Sequence, residues 1–226
     1  MNYGIWDAVT LVSKISWAER VLKEHPEATV AADAILGSYD KERHSMGEEL
    51  ISRVSFATNI VTTRHRPLQR IRNFAMRHIL SFFKQDIMRN AGQLDLAYKP
   101  SYSHFILPVP GSWFWPKNFI AQPGHRVPNI VLEDGSKLYK QIDGVHHTWI
   151  CINIQAPPTT SDHHIYITPS KQKEQTSVPA ISDETLARPQ AILVRPDLFV
   201  AAVDDSVEAL HVAVKHVYGV ECFTAM

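Results

Sequence analysis

Apolar residues recur at three- and four-residue spacing between Gly4 and Lys23, where Ala8, Leu11, Ile15, Ala18 and Leu22 form a stripe that Ile5, Val9 and Val12 widen. The pattern predicts an α-helix with one broad buried face. Asn2 is placed to cap its start, and His25-Pro26 ends it, because the residue before a proline is driven out of the helical region. A second helical stretch is predicted over 29–61 with Leu50, Val54, Ala57 and Val61 on its stripe; Gly37 and Gly47 predict a kink or break within it. A third starts at Pro67, a favourable first-turn residue. It carries Leu68, Ile71, Ala75, Ile79, Phe82 and Phe83 on one side up to a C-terminal cap at Gly92.

The texture changes at Tyr98. Pro100, Pro108, Pro110, Gly111, Pro116, Pro123 and Gly124 crowd a stretch that cannot be helical, which predicts a linker over 98–124 and a boundary between a helical segment, 1–97, and a second domain, 125–226. Beyond it the apolar runs shorten to strand length over 129–132, 148–154, 165–168, 191–195 and 198–203. The last two flank Pro196-Asp197 and predict a β-hairpin; Val207, Leu210, Val214 and Val217 then predict a helix that Gly219 stops. The stretch from Gln155 to Gln190, rich in Pro, Thr, Ser and charge, predicts an exposed insertion around a short strand near Tyr166. The expected fold class is α+β: an N-terminal helical segment followed by a thioredoxin-like α/β domain, for which a hairpin followed by a helix is the usual ending.

Composition narrows the partners. With 226 residues, 45% hydrophobic and 20% charged, the chain has the make-up of an ordinary globular protein. Its 23 Lys and Arg balance 23 Asp and Glu, so no net field draws it to nucleic acid or an anionic membrane. The start has neither the basic residues nor the apolar run of a secretory signal, and no apolar stretch is long enough to span a bilayer, so a cytoplasmic protein is expected. Cys151 and Cys222 form no C-x-x-C pair, which removes dithiol redox chemistry from the thioredoxin-like expectation. Cys151 lies inside an apolar strand and reads as a buried inert thiol. His146-His147 and His163-His164 cannot each chelate one ion, because adjacent strand residues face opposite sides of a sheet; no metal site is expected. Trp113-Phe114-Trp115 reads as core packing ahead of a pocket wall.

Four segments carry a family resemblance in one order. Met1-Asn2-Tyr3-Gly4-Ile5-Trp6-Asp7-Ala8 resembles the G-M-N-x-G-x-x-D-A segment of flavin monooxygenases that hydroxylate phenols and related aromatics. Ser38-Tyr39-Asp40-Lys41-Glu42-Arg43 resembles their S-Y-x-x-E-R, and Gln122-Pro123-Gly124-His125-Arg126-Val127-Pro128 resembles P-G-x-R-A-P. Leu193-Val194-Arg195-Pro196-Asp197, followed by Val200-Ala201, resembles L-V-R-P-D-x-x-V-A. The resemblance implies insertion of one oxygen atom from O2 into an activated aromatic ring, with NADPH reducing FAD, in small-molecule or secondary metabolism. It also implies that Met1 and Asn2 are the cofactor-binding residues, at a helix N-terminus whose N–H groups and dipole face the electron-rich edge of the flavin. Tyr39, Glu42 and Arg43 are taken as structural, on a solvated or locally paired face.

The strand, G-x-G-x-x-G turn and helix that hold the ADP part of FAD do not occur in these residues. A micromolar cofactor site is worth about 8 kcal/mol, and losing that cradle costs more. The expectation is therefore a truncated monooxygenase that binds no FAD tightly by itself, names no catalytic residue, and works with a complementary flavin-binding chain or as a homo-oligomer on a small aromatic substrate. Two other readings stay open. One is a non-catalytic dimerisation module. The other is a flavin-independent isomerase or cyclase descended from a hydroxylase.

Overall fold

The computed structural model describes residues 2–78, 97–98, 103, 105–107, 121–132, 135–154, 163–167, 190–206, 210 and 212. Helix α1 spans Asn2–Glu24 and α2 spans Thr29–Val61; the turn between them is closed by His25 N–H donating to the Val21 carbonyl at 2.8 Å and Ala28 N–H to the His25 carbonyl at 2.9 Å. The second helix is unbroken, contrary to the expected kink. Gly37 has open space beside it, and Gly47 lies under the Tyr3 hydroxyl, which a Cβ would approach to 3.1 Å. The α1–α2 packing thus uses the missing side chain of Gly47 without bending the helix. Helix α3 spans Arg66–His78, and its predicted continuation through Ile79, Phe82 and Phe83 to Gly92 lies outside the described residues.

A short helix α4, Leu138–Gln141, precedes strands β1 (Thr148–Ile152), β2 (His163–Ile167), β3 (Gln190–Val194) and β4 (Val200–Asp204). The sheet order is β2-β1-β3-β4, with β1 parallel to β2 and antiparallel to β3, and β3 antiparallel to β4. The fold class is α+β, as the sequence predicts. The hairpin around Pro196-Asp197 is present, and Leu198 takes φ 67° in its turn. A register shift between Leu193 and Val194 lets both Ala201 and Ala202 face the helical side. Residues 129–132 form no strand; Val131 makes an isolated bridge to Lys137 around the tight turn at Gly135. Of the final predicted helix only Leu210 and Val212 are described, and both are helical.

Two cores lie on opposite faces of the sheet. Trp149, Cys151, Ala191, Leu193 and Ala202 pack against Trp17, Ala18 and Val21 of α1 and Ala32 and Ile35 of α2. Ile150, Ile152, Ile192, Val194 and Val203 pack against Val127, Ile130, Leu138 and Ile142. Burial on both faces explains why β1, β3 and β4 are near-continuous apolar runs without polar alternation.

The helices bury different faces from those the periodicity suggests. On α1 the buried side is Thr10, Ser13, Lys14, Trp17, Ala18 and Val21; of the predicted stripe, Ala18 alone is buried, and Ile5, Val9, Leu11, Val12, Ile15 and Leu22 are exposed. On α2 the buried stripe is Ala32, Ile35, Ser38, Glu42, Arg43 and Met46, while Val54, Ala57 and Val61 are exposed. Leu68 and Ile71 of α3 are exposed as well. The inward face of α1 is mixed: Trp17, Ala18 and Val21 join the core, and Lys14 meets a buried carboxylate on α2, while Ile5, Val9, Val12 and Ile15 face outward.

Candidate functional site

That carboxylate is Glu42, fully buried at 0% exposure. Arg195, at the end of the hairpin strand, donates to both of its oxygens, Nη1 to Oε1 at 2.9 Å and Nη2 to Oε2 at 3.0 Å. Lys14 of α1 reaches Oε2 at 3.1 Å and also donates to Ser38 Oγ, and Ser103 Oγ donates to Oε1. Arg195 uses its remaining edge on Asp197, with Nη2 to Oδ2 at 2.8 Å and Nε to Oδ1 at 3.1 Å. Two cations and two carboxylates therefore balance inside the protein, with the bidentate forks that make Arg suited to a buried pair. Burial alone would raise the Glu42 pKa; the charges of Arg195 and Lys14 and the hydrogen bonds from Arg195 and Ser103 outweigh it and hold the carboxyl at about 2. Burial, and then repulsion from Arg195, pull Lys14 down to about 8 against the attraction of Glu42 and Asp197. The two directions agree, because Arg195 claims the carboxylate bidentately and leaves Lys14 the weaker partner.

A second polar cluster fixes the first turns of α1. Asp7 Oδ1 accepts from Arg43 Nε and from the Tyr39 hydroxyl, both at 2.8 Å. The Tyr3 hydroxyl donates to the Arg43 carbonyl at 2.8 Å, and the Arg43 guanidinium lies 4.1 Å from the Tyr3 ring centroid. Arg43 Nη1 also reaches the Tyr98 hydroxyl at 3.4 Å, which lies 3.3 Å from Thr10 Oγ1. Burial raises the Tyr98 pKa to about 12, so the phenol stays protonated. Tyr39 and Arg43 both bind Asp7, and Glu42 binds Arg195 and Lys14; the solvated-face reading is corrected for Glu42 and Arg43. Glu42 and Arg43 are buried and bind partners far along the chain.

The third motif joins the same place. Gly124, with φ 80°, packs so closely on the Tyr98 backbone that a Cβ would overlap the Tyr98 carbonyl. Gly124 N–H donates to Val200 O at 2.8 Å, and Val200 N–H to His125 O at 2.9 Å, which sets Arg126 opposite Phe199. The Arg126 guanidinium stacks 3.5 Å from the centroid of Trp6 on α1 and lies 5.6 Å from that of Phe199. Segments from all four motifs thus meet around the first half of α1.

Of the two predicted cofactor residues, Asn2 opens α1 and Met1 lies outside the described residues. No acidic side chain stands in the first turn of α1, so nothing in that turn offsets the positive end of the helix. Cys151 is buried and its thiol is pushed up to about 11 by desolvation, in keeping with an inert thiol. Trp113-Phe114-Trp115, and most of the 155–190 insertion apart from β2, lie outside the described residues. Lys14 and Arg126 escape a reading by type alone. Their signals were Lys14's place among Thr10, Trp17 and Ala18 on one helical face, and Arg126's place inside a motif.

No family model matches the chain, and no curated protein matches it. Solved structures do. A structure of RebC soaked with chromopyrrolic acid, with bound 7-carboxy-K252c, is similar at 17% identity with a TM-score of 0.57, over 97% of this chain and 42% of that one. RebC soaked with K252c is similar at 18% identity and a TM-score of 0.54, over 97% and 41%. The rebeccamycin biosynthetic enzyme RebC with reduced flavin is similar at 16% identity and a TM-score of 0.52, over 97% and 41%. At these identities the likeness is one of fold, and the chain spans about two fifths of the length of the structures it matches.

Proposed function

We propose that this chain is the C-terminal portion of an FAD-dependent monooxygenase of the aromatic hydroxylase type, acting in small-molecule or secondary metabolism and not self-sufficient. The observation that carries the reading is the meeting of the four motif segments. Tyr3 and Asp7 bind Arg43, Glu42 binds Arg195, and Arg126 stacks on Trp6, although the outer two segments lie about 190 residues apart. Residues that share a family pattern because they build one site should meet in this way. The likeness in fold to RebC, one structure of which contains reduced flavin, supports it further. The strand order β2-β1-β3-β4 and its senses favour the thioredoxin-like reading of the second half.

The residues present fit one part of a flavin site only. The uncharged first turn of α1 is suited to the electron-rich pyrimidine edge of the ring, with Asn2 at its start, and the Asp7–Arg43–Tyr39 cluster would hold that turn in place. FAD, when bound, would supply the oxygen-activating chemistry; a Rossmann-type half, on the same polypeptide or another, would supply the ADP cradle.

The exposed apolar side of α1, α2 and α3 is the surface such a half would cover. Ile5, Val9, Val12 and Ile15 of α1 face solvent, with Val12 at 64% exposure, and so do Val54 and Phe56 of α2 and Ile71 and Phe74 of α3. Exposed apolar area costs about 25 cal/mol per Å², so the isolated chain should self-associate through this face. Val12→Glu with Ile15→Glu should weaken self-association by light scattering and reduce binding of an apolar-surface dye, with an unchanged melting temperature. An unsubstituted chain that is monomeric at tens of micromolar and binds no dye would overturn this reading of the face.

A further inference from the structure

The balance of charge over the whole chain conceals an uneven distribution. From Leu50 to His78 the sequence holds six arginines and no Asp or Glu, so this stretch is strongly cationic and the compensating acid lies elsewhere. Arg53 pairs with Glu49 one turn away. The other five, Arg64, Arg66, Arg70, Arg72 and Arg77, lie in α3 or just before it, and none forms an ion pair among the described residues. Arg72 donates only to neutral acceptors, the Val61 carbonyl at 2.6 Å and Asn73 Oδ1, which leaves its charge without a counter-charge. Those bonds, with Gln69 N–H to the His65 carbonyl at 2.9 Å and Gln69 Nε2 to the Thr63 carbonyl at 3.1 Å, fix α3 against the end of α2. The other side of α3 is apolar. Leu68, Ile71 and Phe74 recur at three-residue spacing and are 52%, 66% and 65% exposed, while the helical period sets Arg66, Arg70 and Arg77 opposite them.

A short helix with one apolar side and one cationic side is satisfied by surroundings that are apolar within and anionic at the border. The surface of an anionic bilayer has that form: Leu68, Ile71 and Phe74 can enter the acyl boundary while the arginines, with long stems that let their heads rise, stay among the charged headgroups. At 13 residues α3 is about 20 Å long, too short to cross, and no helix among the described residues is long and apolar enough to do so, which leaves it lying along the surface. Nucleic acid would meet the arginines and leave the apolar row in water. The exposed apolar side of α1 does not share this character, because Asp7, Glu19 and Glu24 stand on that helix beside Arg20 and Lys23. We propose that α3 is a membrane-contact helix that adsorbs to anionic lipid surfaces. The inference goes beyond the hydroxylase reading and does not rest on it: a nucleotide-binding half would contend with lipid for α3, whereas the chain by itself has this face open.

The test is co-sedimentation of the full chain with vesicles of phosphatidylcholine alone or with about 30% phosphatidylserine, without flavin. The anionic vesicles should bind at least about tenfold more tightly, and raising the salt should shrink that preference. Arg66→Gln with Arg70→Gln should weaken binding to anionic vesicles by about fivefold per residue, and Ile71→Glu with Phe74→Glu should abolish it. All four positions are exposed, so these changes leave the core untouched. The unsubstituted chain supplies a second readout that needs no variant: anionic vesicles should protect the tryptic sites after Arg70, Arg72 and Arg77. Val12→Glu with Ile15→Glu should leave vesicle binding as it was, which separates lipid contact through α3 from self-association through α1. Equal binding to the two vesicles, binding to neither, or no protection of the α3 sites would each overturn the assignment. So would displacement by soluble polyglutamate at equal charge concentration, which would give the face to an acidic protein. None of these outcomes bears on flavin binding, so failure here and failure of the hydroxylase reading are distinguishable.

Discussion

Replacing Glu42 by Gln keeps the shape of the side chain and removes one charge from a site that balances two cations against two carboxylates. What remains is Lys14 and Arg195 against Asp197 alone, inside the core. Breaking a buried ion pair by removing one partner costs about 3–5 kcal/mol, because the orphaned charge stays desolvated. The pH dependence carries a second signature. The folded pKa of Glu42, about 2, lies below its ordinary 4.5, so its contribution is complete above the unfolded value and is lost as pH falls through the folded one. That difference corresponds to about 3 kcal/mol, which the Gln variant should lack on its acid limb. Lys14 works at the other end. Already down at about 8, it loses its carboxylate partner in the variant and should give up its proton sooner. The destabilisation should therefore be smaller at pH 9 than at pH 6.5, by about 1 kcal/mol or more. Urea unfolding followed by the fluorescence of the buried Trp17 and Trp149 measures both values. A loss below about 1 kcal/mol at pH 6.5, or a larger loss at pH 9, would refute the charge-balance reasoning.

Gly124→Ala and Gly135→Ala impose the same left-handed strain, at φ 80° and 76°, but only the first drives a Cβ into backbone. The Gly135 variant should lose about 1 kcal/mol by thermal unfolding and the Gly124 variant at least twice that; equal losses would mean that the Tyr98 contact is not as close as described. Cys151, buried and raised to about 11, should stay unlabelled by iodoacetamide at pH 8 in the folded chain and react in urea, with peptide mapping identifying the site.

The strands were the most legible part of the chain. Runs around Trp149, Ile192 and Val200 are short, apolar and bounded by turn residues, and each is a strand buried on both faces. The extents of α1 and α2 were legible too, because proline and the spacing of apolar groups bound them. Their orientation was not. Periodicity identifies an apolar face without saying what covers it, and on α1 the face that packs inward carries Lys14, paired with buried Glu42, as well as Trp17, Ala18 and Val21. That outcome depends on a partner 28 positions away that local spacing cannot weigh. Glu42 and Arg43 were misread for the same reason: charged residues on a helix usually face water, and these are buried by Arg195 and Asp7 from other elements. The motifs carried what periodicity lacked, since their residues are the ones that meet. Arg126 belonged to a motif without a stated role, and its stacking on Trp6 is visible only in three dimensions.

The central claim is that the chain forms one side of a flavin site and lacks the part that grips the cofactor. Titrating FAD into the purified chain, with flavin fluorescence and size-exclusion chromatography read at flavin wavelengths, tests it directly. The account predicts that no flavin co-elutes at concentrations of about tens of micromolar, where a site worth about 8 kcal/mol would be filled. A yellow protein with one flavin per chain would contradict it, because this polypeptide would then build the whole site without a Rossmann half.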